Sequence, residues 1–543
     1  MPRMNGRKQN LFSTDKHTMM NHEGHTVHRL DALETLFSKV MGSFFGERNF
    51  YVDRDAYSAF DEVRNLLCDV PDSEKEYVLK LAMLGRQLGM IQYPLALLTA
   101  CFNDDRFKGD KFLAANGRNA MYQYADQIVL RGKDIVDVMT FQMKGIGCEP
   151  TDKGRNIPLP MQLRKCMKHK LECMPDYTLA KGLSVGNEVS LADCIKMLRP
   201  NPHVHEDNGG RYHFYSDVLN NNVSFADGVA TVQTELVKFG QGKKADPVEF
   251  AKVIGNTPVL AVLKNLVAIH RVFGFDHEPI LMALRKKFSP TSVEKSKVLP
   301  FRFYSAYKEV FSLTHTRGTS EVLDMLEDAM DNSVSNLTEI EGYNAILIDR
   351  SGSMKQKISS RSIVTADEMA CLLGAIVLKR TKGDVYVFGS TAKQVVHMNS
   401  RNTILSLMNN IRTTNVGGST YIDTALELIG RSGVKYDNLI ILTDGDVYTV
   451  DRDAFYFSRR SYSSISCDDM VNDQMKRGIY KRVFINDLTG NNFSAVNVSD
   501  YRKNLVCGFT EKFVEMINLY SKMQRTGNIC KLIDGMLMEL HNK

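Results

Sequence analysis

The sequence predicts a helical array followed by a doubly wound α/β domain, and three observations carry that prediction. From Ala56 to about Leu198, and again from Phe214 to Met330, apolar residues recur at three- and four-residue spacing between short Gly, Pro, Asp or Asn breaks. That is the period of helices burying one face. From Tyr343 onward, apolar runs of strand length alternate with helical segments, the pattern of a mostly parallel sheet. The 543 residues are too many for a single core, so at least two domains are expected.

Taken in order, residues 1–34 read as a flexible polar tail. Its His17, His22, His25 and His28 belong to that tail rather than to a metal cluster. Residues 35–335 form the helical module, with helices over Ala56–Cys68, Ser73–Leu88, Ile91–Cys101, Lys133–Met143, Leu191–Leu198, Phe214–Phe239, Pro258–Phe273, Pro279–Phe288, Pro300–Leu313 and Ser320–Met330. Helices that repeat without a sharp period, each burying its neighbour's apolar face, predict an α-solenoid.

The composition shifts over Asn332–Thr338, the domain junction, and residues 339–543 form the second domain. Tyr343–Ile348, Val385–Phe388, Leu439–Leu442, Val483–Asn486 and Asn504–Cys507 read as strands, and Thr403–Ile411 and Ile422–Ile429 as helices. Another helix opens at Thr365, with Glu368 three positions on as a capping box.

Composition narrows the function. With 43% hydrophobic and 24% charged residues, the chain reads as soluble and globular. No apolar run reaches the roughly 18–20 residues that span a bilayer. Met1–Asn21 is polar and lacks the apolar segment of a secretion signal. The ten cysteines are scattered with no C-x-x-C pair, which suits reduced thiols and a cytoplasmic address. Phosphate-binding, zinc-protease and serine-hydrolase motifs do not occur. A net charge of +6 is small for this length, so nucleic-acid binding must come from local patches.

Chemistry concentrates at Asp349-Arg350-Ser351-Gly352-Ser353, directly after the first strand of the second domain. Alternate oxygen side chains in a loop relieved by glycine can converge on a hard divalent cation. Gly417-Gly418-Ser419-Thr420 and Thr443-Asp444-Gly445 follow in order. In an open α/β sheet, loops at the carboxyl ends of strands share one edge. The set resembles the metal-ion-dependent adhesion site of von Willebrand factor A domains. That resemblance implies that Ser351, Ser353 and Thr420 ligate a divalent cation of the Mg²⁺ type, with Asp349 and Asp444 holding its waters.

In the helical module, Lys153, Arg155, Arg164, Lys165, Lys168 and Lys170 occur with no acidic residue between Lys153 and Leu171. On a helix from Leu159 to Cys173, Leu163, Met167, Leu171 and Met174 fall in one arc while Arg164, Lys165 and Lys168 fan out beside it. Lys170, on the apolar flank, is placed to snorkel. Arg285, Lys286, Lys287, Lys295 and Lys297 flank a break at Ser289-Pro290. Such cations give sequence-tolerant, salt-sensitive phosphate binding.

Arg131-Gly132-Lys133-Asp134-Ile135, Leu163-Arg164-Lys165, Leu179–Pro200, the stretch from Thr257-Pro258 to Leu299-Pro300-Phe301, and Leu505-Val506-Cys507-Gly508-Phe509 together resemble the TROVE module and following A domain of the Ro ribonucleoprotein family, over about residues 35–525. The resemblance implies a HEAT-like helical solenoid closed into a ring by the A domain. It also implies a monomer without enzymatic or membrane role, binding small structured Y RNAs on an outer basic surface and single-stranded ends of misfolded RNAs at a central hole. An exoribonuclease would be a protein partner. Arg164, Lys165, Lys168, Arg131, Lys133, Arg285, Lys286 and Lys287 become the candidate RNA contacts.

One departure is Leu191, where the family carries a functional histidine; His203 and His205 lie nearby but out of register. It bears on Y-RNA recognition rather than on RNA binding in general. Two rivals differ in class. A metal-dependent adaptor would capture a partner's carboxylate at the loop site. A metal-dependent phosphodiesterase would need more carboxylates than the two gathered here.

Overall fold

A computed structural model describes residues 18–20, 26–42, 56–145, 159–180, 183, 189–204, 212–220, 246–357, 364–445, 447, 466–488, 493–498, 500, 502–508, 512–522 and 529–541. The helical module opens with α1 (Ala32–Gly42), α2 (Ala56–Asp69), α3 (Lys75–Gln87), α4 (Gln92–Asn103), α5 (Met121–Ile128) and α6 (Gly132–Gly145). It continues through α7 (Met161–Cys173), α8 (Asp176–Ala180), α9 (Leu191–Leu198) and α10 (Tyr212–Leu219). After residues outside the described set come α11 (Pro247–Asn256), α12 (Val259–Phe273), α13 (Glu278–Lys287), α14 (Pro290–Ser296), α15 (Pro300–Phe311) and α16 (Arg317–Ser333). Much of the helix expected over Phe214–Phe239 lies outside the described residues.

The helices stack as their apolar arcs require. α2 packs on α4, α4 on α6, α6 on α9, α11 on α13 and α15 on α16. Ser289-Pro290, expected as a break, does divide α13 from α14, and Pro290 sits at the first turn of the latter, where a missing N–H costs nothing.

The second domain is a six-stranded sheet in the order β5-β4-β3-β6-β7-β9. Its strands are β3 (Tyr343–Asp349), β4 (Lys382–Phe388), β5 (Ala392–Gln394), β6 (Tyr436–Thr443), β7 (Tyr480–Asp487) and β9 (Lys503–Cys507). All pairings are parallel except that of the edge strand β5. Successive side chains face opposite sides of a sheet, and each side has its own cover. Ile346, Ile348, Ile440 and Leu442 pack in the core that also holds α17 (Ala366–Lys379), α18 (Ile404–Thr413), α21 (Phe513–Lys522) and the helical module. Ala345, Leu347, Leu439 and Ile441 face α19 (Ile422–Arg431) and α20 (Cys467–Lys476). The expected capping box stands at the start of α17, where Thr365 and Glu368 exchange hydrogen bonds.

Both ends of the helical array touch this domain. At one end α1 lies along β9, where Ser38 Oγ donates to Leu505 O at 3.2 Å and accepts from Cys507 N at 3.0 Å. Beside it, Tyr77 and Lys80 of α3 bind Asp534 of α22 (Ile529–His541) at 2.9 and 2.8 Å. At the other end Lys308 of α15 pairs with Glu368 of α17, and Asp331 of α16 with Lys379, each at 2.9 Å.

The segment read as a flexible tail is ordered where described. β1 (Thr18–Met20) and β2 (Thr26–Arg29) form a hairpin, and β2 pairs with β8 (Phe493–Ser494) of the second domain. Leu30 follows into the sheet's α19–α20 core. The polar composition concealed this, because a strand that borrows its partner from a distant segment needs little apolar surface of its own. His17, His22 and His25 lie outside the described residues.

Candidate metal centre and nucleic-acid interface

Parallel pairing of β3 with both β4 and β6 brings their carboxyl ends together. Asp349 ends β3 and is wholly buried. Its Oδ1 accepts from Ser351 N at 2.9 Å and its Oδ2 from Thr443 Oγ1 at 2.8 Å. The loop therefore turns back on itself, and the hydroxyls of Ser351 and Ser353 come within 2.9 Å of each other. Asp444, 2% exposed, follows β6. Burial first, then the neighbouring Asp444 carboxylate, push the Asp349 carboxyl up to about 7 against the pull of Ser351 and Thr443.

The Gly-Gly-Ser-Thr loop is pinned to the same edge. Gly352 N donates to Gly418 O at 2.8 Å, Tyr421 N to Gly389 O at 3.0 Å and Ser419 N to Ser390 Oγ at 3.1 Å. Gly417 has φ +82°, and a Cβ there would meet Ser390 Oγ at 2.5 Å, so glycine is required on both counts. Thr420 is buried just before α19. All five predicted residues thus stand at one edge of the sheet, Asp349 at the end of β3 and the others on the loops beyond the strands, and that edge opens to solvent at Gly352, Ser353, Gly417 and Gly418.

Sequence reasoning left out the residues that hold this arrangement. Thr443 orients Asp349. Arg350, next to it, forms an ion pair with Asp367 of α17 and donates to Ile411 O at 2.7 Å. The position of Thr443 in the Thr-Asp-Gly triplet was the available signal for the first. Nothing local announces the second. Among the described residues, no group of three or more His, Cys, Asp or Glu side chains could hold a metal ion, so any cation at this edge depends on hydroxyl ligands.

The basic candidates do not converge in the same way. On α7 the predicted arc is confirmed, with Leu163, Met167 and Leu171 fully buried and Met174 7% exposed. Arg164 and Lys165 project to solvent with no ion-pair partner among the described residues. Lys168 approaches Glu172 at 3.9 Å. Lys170 does not snorkel freely, since it binds the Asp126 carboxylate at 2.9 Å.

Arg131 is bound to Asp134 through Nη2 at 2.7 Å, and Asp134 is wholly buried against Arg86 at 2.6 Å as well. That carboxylate also accepts from Leu130 N and Arg131 N, so the cluster locks the first turn of α6. Lys133 pairs with Asp137 at 3.0 Å. Arg285 pairs with Glu321 at 3.0 Å, and Lys287 donates to Gly255 O at 2.7 Å. Lys286 is exposed beside them. Leu191 is a core residue at 1% exposure, whereas His203 is exposed; His205 lies outside the described residues.

No protein-family model matches this sequence, and no curated protein matches it. Among solved structures, the chain is similar to the Ro (RSR) protein of Deinococcus radiodurans. Sequence identity is 15%, the likeness covers 91% of this chain and 99% of that one, and the TM-score is 0.60. An aerotolerance-related membrane protein from Bacteroides fragilis, also 15% identical, covers 37% of this chain with a TM-score of 0.20, too slight to carry an assignment. Among the described residues no helix is long and apolar enough to cross a membrane.

Proposed function

We propose that this chain, which has the fold of a Ro protein, is an RNA-binding component of a ribonucleoprotein. The observation that supports the reading best is the extent of the likeness, which takes in the helical array and the α/β domain together. The exposed Arg164 and Lys165 on a helix anchored by a buried apolar arc supply the chemistry, since such cations neutralise phosphates without reading bases. The contacts at both ends of the array support its closure into a ring. Structured Y-like RNA would lie on the outer basic surface and single-stranded ends of misfolded RNA at the hole. With Leu191 buried, Y-like RNA would be recognised without the family's histidine.

The same reading gives the loop edge a divalent cation. The donor set fits one of the Mg²⁺ type, because every candidate is a hard oxygen and two carboxylates are buried near each other. Ser351, Ser353 and Thr420 would hold it, with Asp349 and Asp444 behind them. When bound, it would supply a positive point for an acidic group. No catalytic role is assigned to it, and cysteines that form no disulfide among the described residues suit a cytoplasmic setting.

The test is a mobility-shift titration of nucleic-acid-free protein with a small stem-loop RNA carrying a single-stranded 3′ end, beside a DNA duplex of equal length. Salt-sensitive preference for the RNA is expected, and no RNA binding at low salt would sink the reading. The adaptor reading is favoured by one observation, the solvent opening at Ser353 and Gly418. It predicts Mg²⁺-dependent capture of an acidic peptide, indifferent to Arg164 and Lys165.

A further inference from the structure

Where α15 turns back into α16, the surface carries a ladder of three aromatic rings. Tyr307 and Phe311 stand one helical turn apart on α15, with ring centroids 6.1 Å apart and planes inclined by 18°. His315, four residues on in the connecting turn, sets its ring edge-on to Phe311 at 5.6 Å. Tyr307 is half-buried and His315 exposed. Phe311 is 53% exposed and joins neither apolar core of the described residues. A single exposed ring is ordinary on a protein surface. Three in a row at four-residue spacing offer a planar partner group a face to stack on.

The carboxylates of α16, which packs along α15, decide the kind of group. That helix carries Glu321, Asp324, Glu327, Asp328 and Asp331 against one cation, Arg317. Glu321 is met by Arg317 and Arg285 at 2.9 and 3.0 Å, and Asp331 by Lys379 at 2.9 Å. Asp324, Glu327 and Asp328 have no ion-pair partner among the described residues. Two of them lie beside the ladder: burial first, then Glu327 and Asp324, push the Tyr307 hydroxyl above its ordinary range. Lys308, next to Tyr307 in the chain, is committed to Glu368 of α17 at 2.9 Å.

Nucleobases also stack on aromatic rings, but unmatched carboxylates repel the phosphates that come with them. A guanidinium suits both features, since it lies flat on a ring and pairs with carboxylates. We infer that the face formed by Phe311, Asp324 and Glu327 docks an arginine-rich segment of a partner protein. Guanidinium planes would lie on Phe311, with their charges against Asp324 and Glu327. This surface is separate from α7, where the RNA reading places its phosphates.

The test is fluorescence anisotropy of the full chain, freed of nucleic acid, with a labelled peptide of alternating arginine and glycine. Lysine–glycine and glutamate–glycine peptides of equal length are run beside it. The arginine peptide should bind more tightly than the lysine peptide, and the glutamate peptide should not bind. Phe311→Ala, at an exposed position outside both cores, should weaken arginine-peptide binding about threefold to tenfold without moving the melting temperature. Asp324→Asn combined with Glu327→Gln should weaken it by a similar factor. Affinity for oligouridylate should be unchanged in both proteins. The inference is overturned if the arginine peptide does not bind at millimolar concentration, if either variant binds it as tightly as the parent, or if the lysine peptide binds equally well. It is also overturned if Phe311→Ala lowers oligouridylate affinity, which would make the ladder a base-stacking platform. Dissociation of an oligomer by Phe311→Ala, read by sedimentation, would overturn it too by giving the ladder to a second copy of this chain.

Discussion

The loop edge of the α/β domain and the basic surface of the helical module were inferred from the same sequence by the same kind of reasoning, yet they came out differently. At the loop edge, all five candidates lie on one rim, because parallel strands deliver their carboxyl ends to one place whatever the intervening sequence. Of the eight basic candidates, Arg164, Lys165 and Lys286 stand exposed without an ion pair among the described residues, while Arg131, Lys133 and Arg285 are held by Asp134, Asp137 and Glu321. A motif that follows a strand carries its location with it. A charge run carries only composition, and whether a carboxylate meets it is decided elsewhere in the chain.

The largest effect expected from this contrast is structural. Asp134→Ala strips the partner from Arg86, whose side chain is 5% exposed. Breaking a buried ion pair from one side costs on the order of 3–5 kcal/mol, so chemical denaturation should show a loss of that size. Arg131→Ala should also destabilise, while RNA affinity per folded molecule stays unchanged. If Arg131→Ala instead weakened RNA binding in a fully stable protein, Arg131 would rejoin the contact surface.

Next comes the joint change of Arg164, Lys165 and Lys168 to Glu. It leaves the buried arc of α7 intact while reversing three charges, so melting should barely move and affinity for structured RNA should fall about a hundredfold or more. Unchanged affinity in that variant would make α7 a solvated face and shift the contrast wholly to the loop edge.

Asp349→Ala and Thr420→Ala should each shrink the rise in melting temperature that Mg²⁺ confers, which binding to the native state produces by mass action. RNA affinity should hold, because the loops and α7 belong to different domains. Differential scanning fluorimetry with and without the ion reads the first, and the mobility-shift titration reads the second. The smallest effect belongs to Lys286→Ala. Losing one phosphate contact should flatten the slope of log affinity against log salt by up to about 0.7–0.9, and an unaltered slope would remove Lys286 from the surface.

What was legible in the sequence follows the same division. The strand over Tyr343–Ile348, the capping box at Thr365 and the apolar arc of α7 were readable because each is written in contiguous residues. The hairpin of β1 and β2 was not, since β2 takes its other neighbour from Phe493 and Ser494. Pro290 marks a real boundary, with α13 ended at Lys287 and α14 opened by the proline itself. The partners of Arg131 and Lys133 stand three and four positions downstream, so both lay within reach of a local reading. The partner of Arg285 is 36 residues away, beyond any local pattern.

Ser38 on α1 bonds to Leu505 and Cys507 at separations of 467 and 469 residues. During synthesis a helix made early must therefore wait for a strand made late. Leu33, Leu36, Phe37, Val40 and Met41, all buried in the finished molecule, have α2, α3 and α4 to shelter against in the meantime. Contacts of such long range are slow to form, and apolar surface left open while they form invites aggregation. The nascent chain is thus most exposed to chaperone capture over the interval between the emergence of α1 and that of β9.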